Sequence, residues 1–273
     1  MSELKKTAEV IEEAVGRGDA ALLAYLPLGF PTVEKSVEAA HILLDEGVDA
    51  IELGFPYSDP GMDGPLIQAA NVAAIEAGVH LEDYFAAVKE LSDRGASVIM
   101  MTYWNPIHWY GVDRFAKEFA AAGGSGLITP DLPPEEAGDW IEASEKYGLE
   151  RVFLVAPSSS KERLALISGA SVGWVYAAST MGVTGERAAV DAAAEALVQR
   201  TRDNGAELVC VGLGVSTGEQ AAGIGSYADG VIVGSAFVRA LSKPDWDEAK
   251  ESLANLARDL KAGVTGAKSV DPA

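Results

Sequence analysis

ELVCVGLGVSTGEQAAGIGSYADGVIVGSA, Glu207–Ala236, holds the unit from which the fold is read. It opens with an apolar run, Glu207–Leu213, and turns at a corner of small residues, Gly212-Leu213-Gly214-Val215-Ser216. After a stretch with helical spacing comes a second apolar run, Gly230–Val233, and a second small corner, Val233-Gly234-Ser235-Ala236. Both runs are continuously apolar rather than alternating, as expected of strands covered on both faces in a parallel sheet. Parallel neighbours need a crossover, and a helix supplies it.

The same unit recurs toward the N-terminus. Ala21–Leu26, Asp49–Leu53, Ser97–Tyr103, Gly126–Thr129, Arg151–Val155 and Gly173–Ala177 bring the runs to eight. The stretches between them carry helical spacing, for example Val33, Val37, Ala40 and Leu44, or Val190, Ala193, Ala194, Leu197 and Val198. Leu4, Ala8, Ile11 and Val15 add an amphipathic helix before the first strand. Eight βα units in 273 residues predict an α/β chain: a single (β/α)8 TIM barrel with an extra N-terminal helix. A doubly wound open sheet is the structural alternative. No Pro/Ser-rich linker interrupts the series, so residues 1–262 are expected to form one domain. The small and polar residues 263–273 are expected to be a disordered tail.

The chain carries 21 Lys+Arg against 41 Asp+Glu, a net charge of −20. Such a surface argues against nucleic-acid or anionic-membrane partners, which require clustered cations. No stretch approaches the roughly 18 apolar residues of a membrane span, and the N-terminus lacks a signal-peptide core. The single cysteine, Cys210, sits in an apolar run and reads as core, which fits a reducing cytoplasm.

In a barrel, chemistry gathers where strands end. The densest such cluster is DAIELGFPYSDPGMDGPLIQ, Asp49–Gln68. Glu52 lies inside the apolar run and points either into the barrel or out toward helices; if inward, lost hydration raises its pKa and lets it hold a proton near neutrality. Asp59-Pro60 and Asp63-Gly64-Pro65 are equally good turn formers. A strand carboxylate with a second one eleven positions later on a loop is nevertheless a plausible acid/base pair. Glycines at the corners following the sixth, seventh and eighth runs (Gly182-Val183-Thr184-Gly185, Gly212-Leu213-Gly214-Val215-Ser216 and Val233-Gly234-Ser235-Ala236) let backbone amides approach an anion, and phosphate sits at such corners in many barrels. None of the eleven lysines closes a strand, so a Schiff base is not expected. His41, His80 and His108 are scattered without the spacing of a zinc site, and no metal is expected. Tyr25, Met101, Tyr103, Ile128, Leu154 and Leu213 could line an apolar pocket at the same face; barrel packing explains each equally well.

Taken together, IELGFPYSDPGMDGPLIQ, MTYWNPI (Met101–Ile107), ITPDLPPEE (Ile128–Glu136), STMGVTG (Ser179–Gly185), VGLGVS (Val211–Ser216) and VGSA (Val233–Ala236) resemble the tryptophan synthase α chain family. The resemblance implies a barrel lyase that cleaves indole-3-glycerol phosphate to indole and glyceraldehyde 3-phosphate. It implies no cofactor in this chain. The implied partner is a β chain carrying pyridoxal phosphate, which joins indole to L-serine within an αββα heterotetramer. By the same resemblance Glu52 and Asp63 are the catalytic carboxylates, and Gly185, Gly214, Gly234 and Ser235 bind the substrate phosphate. Tyr25, Met101, Ile128, Leu154, Tyr176 and Leu213 wall the indole pocket. Asp59, Pro60 and Thr184 belong to mobile loops facing the partner. Met62 departs from the family, standing where alanine is frequent.

Overall fold

The strands are β1 (Ala21–Pro27), β2 (Ala50–Gly54), β3 (Ser97–Met101), β4 (Gly126–Ile128), β5 (Glu150–Val152), β6 (Leu154–Val155), β7 (Val175–Ala178), β8 (Val209–Gly212) and β9 (Gly230–Val233). They come from a computed structural model that describes residues 5–178, 187–212 and 214–269. All pair in parallel, in the order β5-β4-β3-β2-β1-β9-β8-β7-β6. β5 and β6 are consecutive pieces of one stave, interrupted at Phe153, so the chain itself joins the two ends of the sheet. Nine segments therefore make eight staves, one at each apolar run. The sheet closes into a (β/α)8 barrel, which removes the open-sheet alternative.

Side-chain direction alternates along each stave although both faces are apolar. Leu23, Ala50, Ile99, Ile128, Val152, Cys210 and Ile232 pack together inside the barrel. Their chain neighbours Leu22, Ala24, Ile51, Met100, Leu127, Val211 and Val231 belong to the outer core, shared with the helices. Glu52 lies between the outward-facing Ile51 and Leu53 and two positions after the inward-facing Ala50, so it points inward.

The N-terminal end of the barrel is closed by α1 (Thr7–Gly16), whose Ile11 and Ala14 join the interior cluster. Glu150, at the start of β5, accepts hydrogen bonds from the Thr7 and Ala8 amides at 2.9 and 2.8 Å. A carboxylate at free helix N–H groups is a favourable pairing with the dipole. Thr7 Oγ1 lies 3.0 Å from Ser97 Oγ and 2.8 Å from Ser125 Oγ, tying the helix to the feet of β3 and β4.

The terminal helix Trp246–Val264 buries Val264, and a 3-10 turn at Ala267–Ser269 buries Ala267. The Ala20 amide donates to the Val264 carbonyl at 3.0 Å, and the Lys268 amide to the Gly18 carbonyl at 3.0 Å. These two apolar residues and two backbone bonds carry ordered chain past residue 262, which corrects the near end of the expected tail. Residues 270–273 lie outside the described residues. No helix among the described residues is long and apolar enough to cross a membrane.

Candidate active site

Glu52 occupies the middle of β2 and is 2 % exposed. In the parallel register it stands between Tyr25 of β1 and Ile99 of β3. Its Oε2 has no hydrogen-bond partner among the described residues. Burial, with the nearby charge of Asp63 adding to it, raises its pKa to about 8. At neutral pH the side chain therefore holds its proton.

Asp63 sits at the end of the loop from β2 into α2 (Pro65–Glu76). Pro65 occupies the first helical position, where its missing N–H costs nothing and its fixed φ starts the helix. Three bonds pin the loop. The Met62 amide donates to the Tyr103 hydroxyl at 2.9 Å, Gln68 Nε2 donates to the Asp63 carbonyl at 2.8 Å, and Asn71 Nδ2 donates to Asp63 Oδ2 at 3.1 Å. Tyr57, in the same loop, stacks on Tyr103 with centroids 5.1 Å apart. Burial pushes Asp63 up to about 6, against the Asn71 bond, which favours the anion. The two carboxyls are thus separated in proton affinity: near pH 7 Glu52 is neutral and Asp63 ionised.

Both groups face one cavity of about 330 Å³ at the C-terminal ends of the staves. Its wall is formed by Tyr25, Met101, Ile128, Leu154, Tyr176 and Ile232, with Met62 and Ile67 at the loop side. Burial holds the Tyr25 and Tyr176 hydroxyls well above their ordinary pKa, so neither serves as a base. Glycines make room for these rings: a Cβ on Gly54 would lie 2.7 Å from the Tyr25 ring, and one on Gly212 would lie 2.3 Å from the Tyr176 hydroxyl. Gly214, at φ +59, and Gly234 with Ser235 also line the cavity. The described lining residues include neither Lys nor Arg. An anion there would be met by backbone amides and the Ser235 hydroxyl.

The structure thus brings Glu52, Asp63, Tyr25, Met101, Ile128, Leu154, Tyr176, Gly214, Gly234 and Ser235 around a single space. Asp59 and Pro60 are not part of its wall; Asp59 is exposed and accepts from Ser58 Oγ at 2.6 Å. Thr184, Gly185 and Leu213 lie outside the described residues. Sequence reading passed over Asn71. Its signal was an amide four residues after Ile67 and three before Ala74, on the buried face of an otherwise apolar helix.

A family model described as "Tryptophan synthase alpha chain" matches residues 11–268. The chain belongs to the tryptophan synthase alpha chain family. It is 54% identical over 262 residues to the tryptophan synthase alpha chain of Thermobifida fusca (strain YX), covering 94% of this chain and 97% of the relative. To the alpha chain of Bifidobacterium longum (strain NCC 2705) it is 52% identical over 254 residues, 91% of this chain and 87% of the other. A crystal structure of tryptophan synthase from M. tuberculosis superposes with a TM-score of 0.88 at 49% identity, covering 96% of this chain and 99% of that chain. The alpha subunit of Legionella pneumophila (strain Paris) gives 0.85 at 30% identity, over 94% and 97%. Membership of the tryptophan synthase alpha chain family makes the chain a lyase of tryptophan biosynthesis built on a TIM barrel.

Proposed function

We propose that this chain cleaves indole-3-glycerol phosphate by a retro-aldol reaction, releasing indole and D-glyceraldehyde 3-phosphate. The observation that carries the reading is the pair of carboxyl groups with opposite protonation preferences, Glu52 and Asp63, facing one largely apolar cavity.

The chemistry follows from that pair. Glu52 gives its proton to C3 of the indole ring, which leaves a positive charge on the ring nitrogen. Asp63 accepts a hydrogen bond from the ring N–H and stabilises that charge in a water-poor site. Glu52, now ionised, takes the proton of the hydroxyl on the adjoining glycerol carbon. As the C=O bond forms there, the C–C bond breaks and its electron pair restores the aromatic ring. Glu52 ends as it began, protonated. The apolar wall suits a bicyclic ring, while Gly214, Gly234 and Ser235 with Gly185 would hold the phosphate, so that remote binding energy fixes the reacting carbon. No cofactor enters these steps.

Family membership adds a partner. In our reading a β chain receives the indole and joins it to L-serine with its own pyridoxal phosphate, in an αββα assembly. The exposed bend at Ser58–Asp59, within the loop that carries Asp63, suits coupling of this kind: a partner ordering it would complete the site.

The test is indole release from indole-3-glycerol phosphate by the chain, alone and mixed with a β chain. Asp63→Asn is expected to lose about 10²–10⁴-fold in rate while retaining the fold. Wild-type turnover in that variant would reject the role of Asp63, and identical rates with and without the β chain would reject coupling.

A further inference from the structure

Asn71 takes no part in the proton transfers above, yet of the side chains that touch the Asp63 carboxylate it is buried, at 4 % exposure. It lies at the seventh position of α2, beside the buried Ala70 and one turn before the buried Ala74. A leucine would suit that face. The amide instead leaves its Oδ1 without a hydrogen-bond partner among the described residues, and an unpaired buried acceptor costs stability. What the amide supplies is a donor: Nδ2 reaches Asp63 Oδ2 at 3.1 Å. The other bonds on this loop, from Gln68 and to Tyr103, engage backbone atoms and leave the carboxylate free to rotate.

We propose that Asn71 is a positioning residue, which fixes the Asp63 carboxylate at the cavity mouth as the acceptor for the ring N–H of the substrate. The inference rests on the lyase reading. A donor to a carboxylate favours the anion. The titratable groups facing Asp63 are Glu52 from β2, Tyr25 from β1, Tyr103 beyond β3 and Tyr176 from β7; all four are neutral as Asp63 ionises, so burial opposes its charge and the Asn71 donor favours it. With the Asn71 donor removed, Asp63 would be both free to turn and harder to ionise. A side chain that merely packs would change neither.

Asn71→Leu keeps the size and removes the donor, and Asn71→Gln keeps an amide. In Asn71→Leu, kcat for indole release is expected to fall by about 30-fold or more with KM changed by less than about threefold, and the acid limb of the pH–rate profile to move up by about one unit. Asn71→Gln is expected to recover at least part of the rate and to return the acid limb toward its wild-type position. A ¹³C NMR titration of the Asp63 carboxyl, in wild type and in Asn71→Leu, reads the same interaction without substrate. Repeating it in a Glu52→Gln background removes the coupled titration. An upward shift in the Asn71→Leu titration supports the proposal even if Asn71→Gln fails to fold. Wild-type kinetics in Asn71→Leu overturn it, and so does a rate loss with the acid limb and the Asp63 titration both unmoved. Absence of indole release by the wild type would instead reject the lyase reading, and the NMR titration would still decide what Asn71 does to Asp63.

Discussion

Tyr25 stands directly opposite Glu52 in the parallel register of β1 and β2. Register partners in a parallel pair point to the same side, so a 5 % exposed aromatic ring and a 2 % exposed carboxyl group share the barrel interior. The ring keeps water from the carboxyl, and the carboxyl keeps its proton. With Asp63 pushed up to about 6 and Glu52 to about 8, the form we propose as active holds one proton on Glu52 and none on Asp63. Activity is expected to rise as pH increases through about 6 and to fall above about 8, a bell in kcat/KM that belongs to the pair as a whole. Rates that keep rising to pH 10 would contradict this assignment.

The same carboxyl makes stability depend on pH. Unfolding returns Glu52 to water and to its ordinary pKa of 4.5, so the folded chain binds a proton that the unfolded chain releases between pH 4.5 and about 8. That contribution is full below 4.5 and is lost as pH rises toward 8. Glu52→Gln does not titrate, so its stability relative to wild type should improve by on the order of 3 kcal/mol between pH 4.5 and pH 8.5. Thermal melts of both proteins at the two pH values measure this. An equal difference in Tm at both would refute it.

Gly212 gives Tyr176 its place. A methyl group there would meet the Tyr176 hydroxyl at 2.3 Å, so the ring would have to shift into the cavity it lines. Gly212→Ala should raise KM for indole-3-glycerol phosphate about tenfold and lower stability by about 1–3 kcal/mol through overpacking. Unchanged KM and Tm would show that the wall yields easily.

At the other end of the barrel, Glu150 holds α1 by two charge-assisted bonds to backbone amides. Glu150→Ala leaves those amides and the Thr7 hydroxyl cluster without their anchor, at an expected cost of about 2–4 kcal/mol. The urea midpoint should fall while kcat/KM stays within about twofold, because the cavity lies at the opposite ends of the staves. A stable variant would show that Ile11 and Ala14 seat the helix by packing alone.

The eight staves were legible because each is an apolar run flanked by helical spacing, and the strand ends located the cavity residues. The direction of Glu52 was not legible: both faces of these strands are apolar, so the pattern lacks the alternation that tells in from out. Only the register beside Leu23, Ala50 and Ile99 decides it. The break at Phe153 left no mark in an unbroken apolar run. Val264 and Ala267 were read as tail because two apolar residues in a small, polar stretch make no periodic face; their burial depends on contacts with Ala20 and Gly225, far away in sequence. Asn71 was missed for the complementary reason, since its partner Asp63 belongs to a loop whose path the sequence does not give.

That Glu52 and Asp63 act on one substrate in one cavity is our proposal. It is tested most directly by measuring indole release from indole-3-glycerol phosphate by the wild type, Glu52→Gln and Asp63→Asn, each verified as folded by its melting curve, in the presence of a β chain. We expect turnover by the wild type and a loss of at least about a hundredfold in each variant. Wild-type rates in either variant, or no indole from the wild type, would contradict the claim.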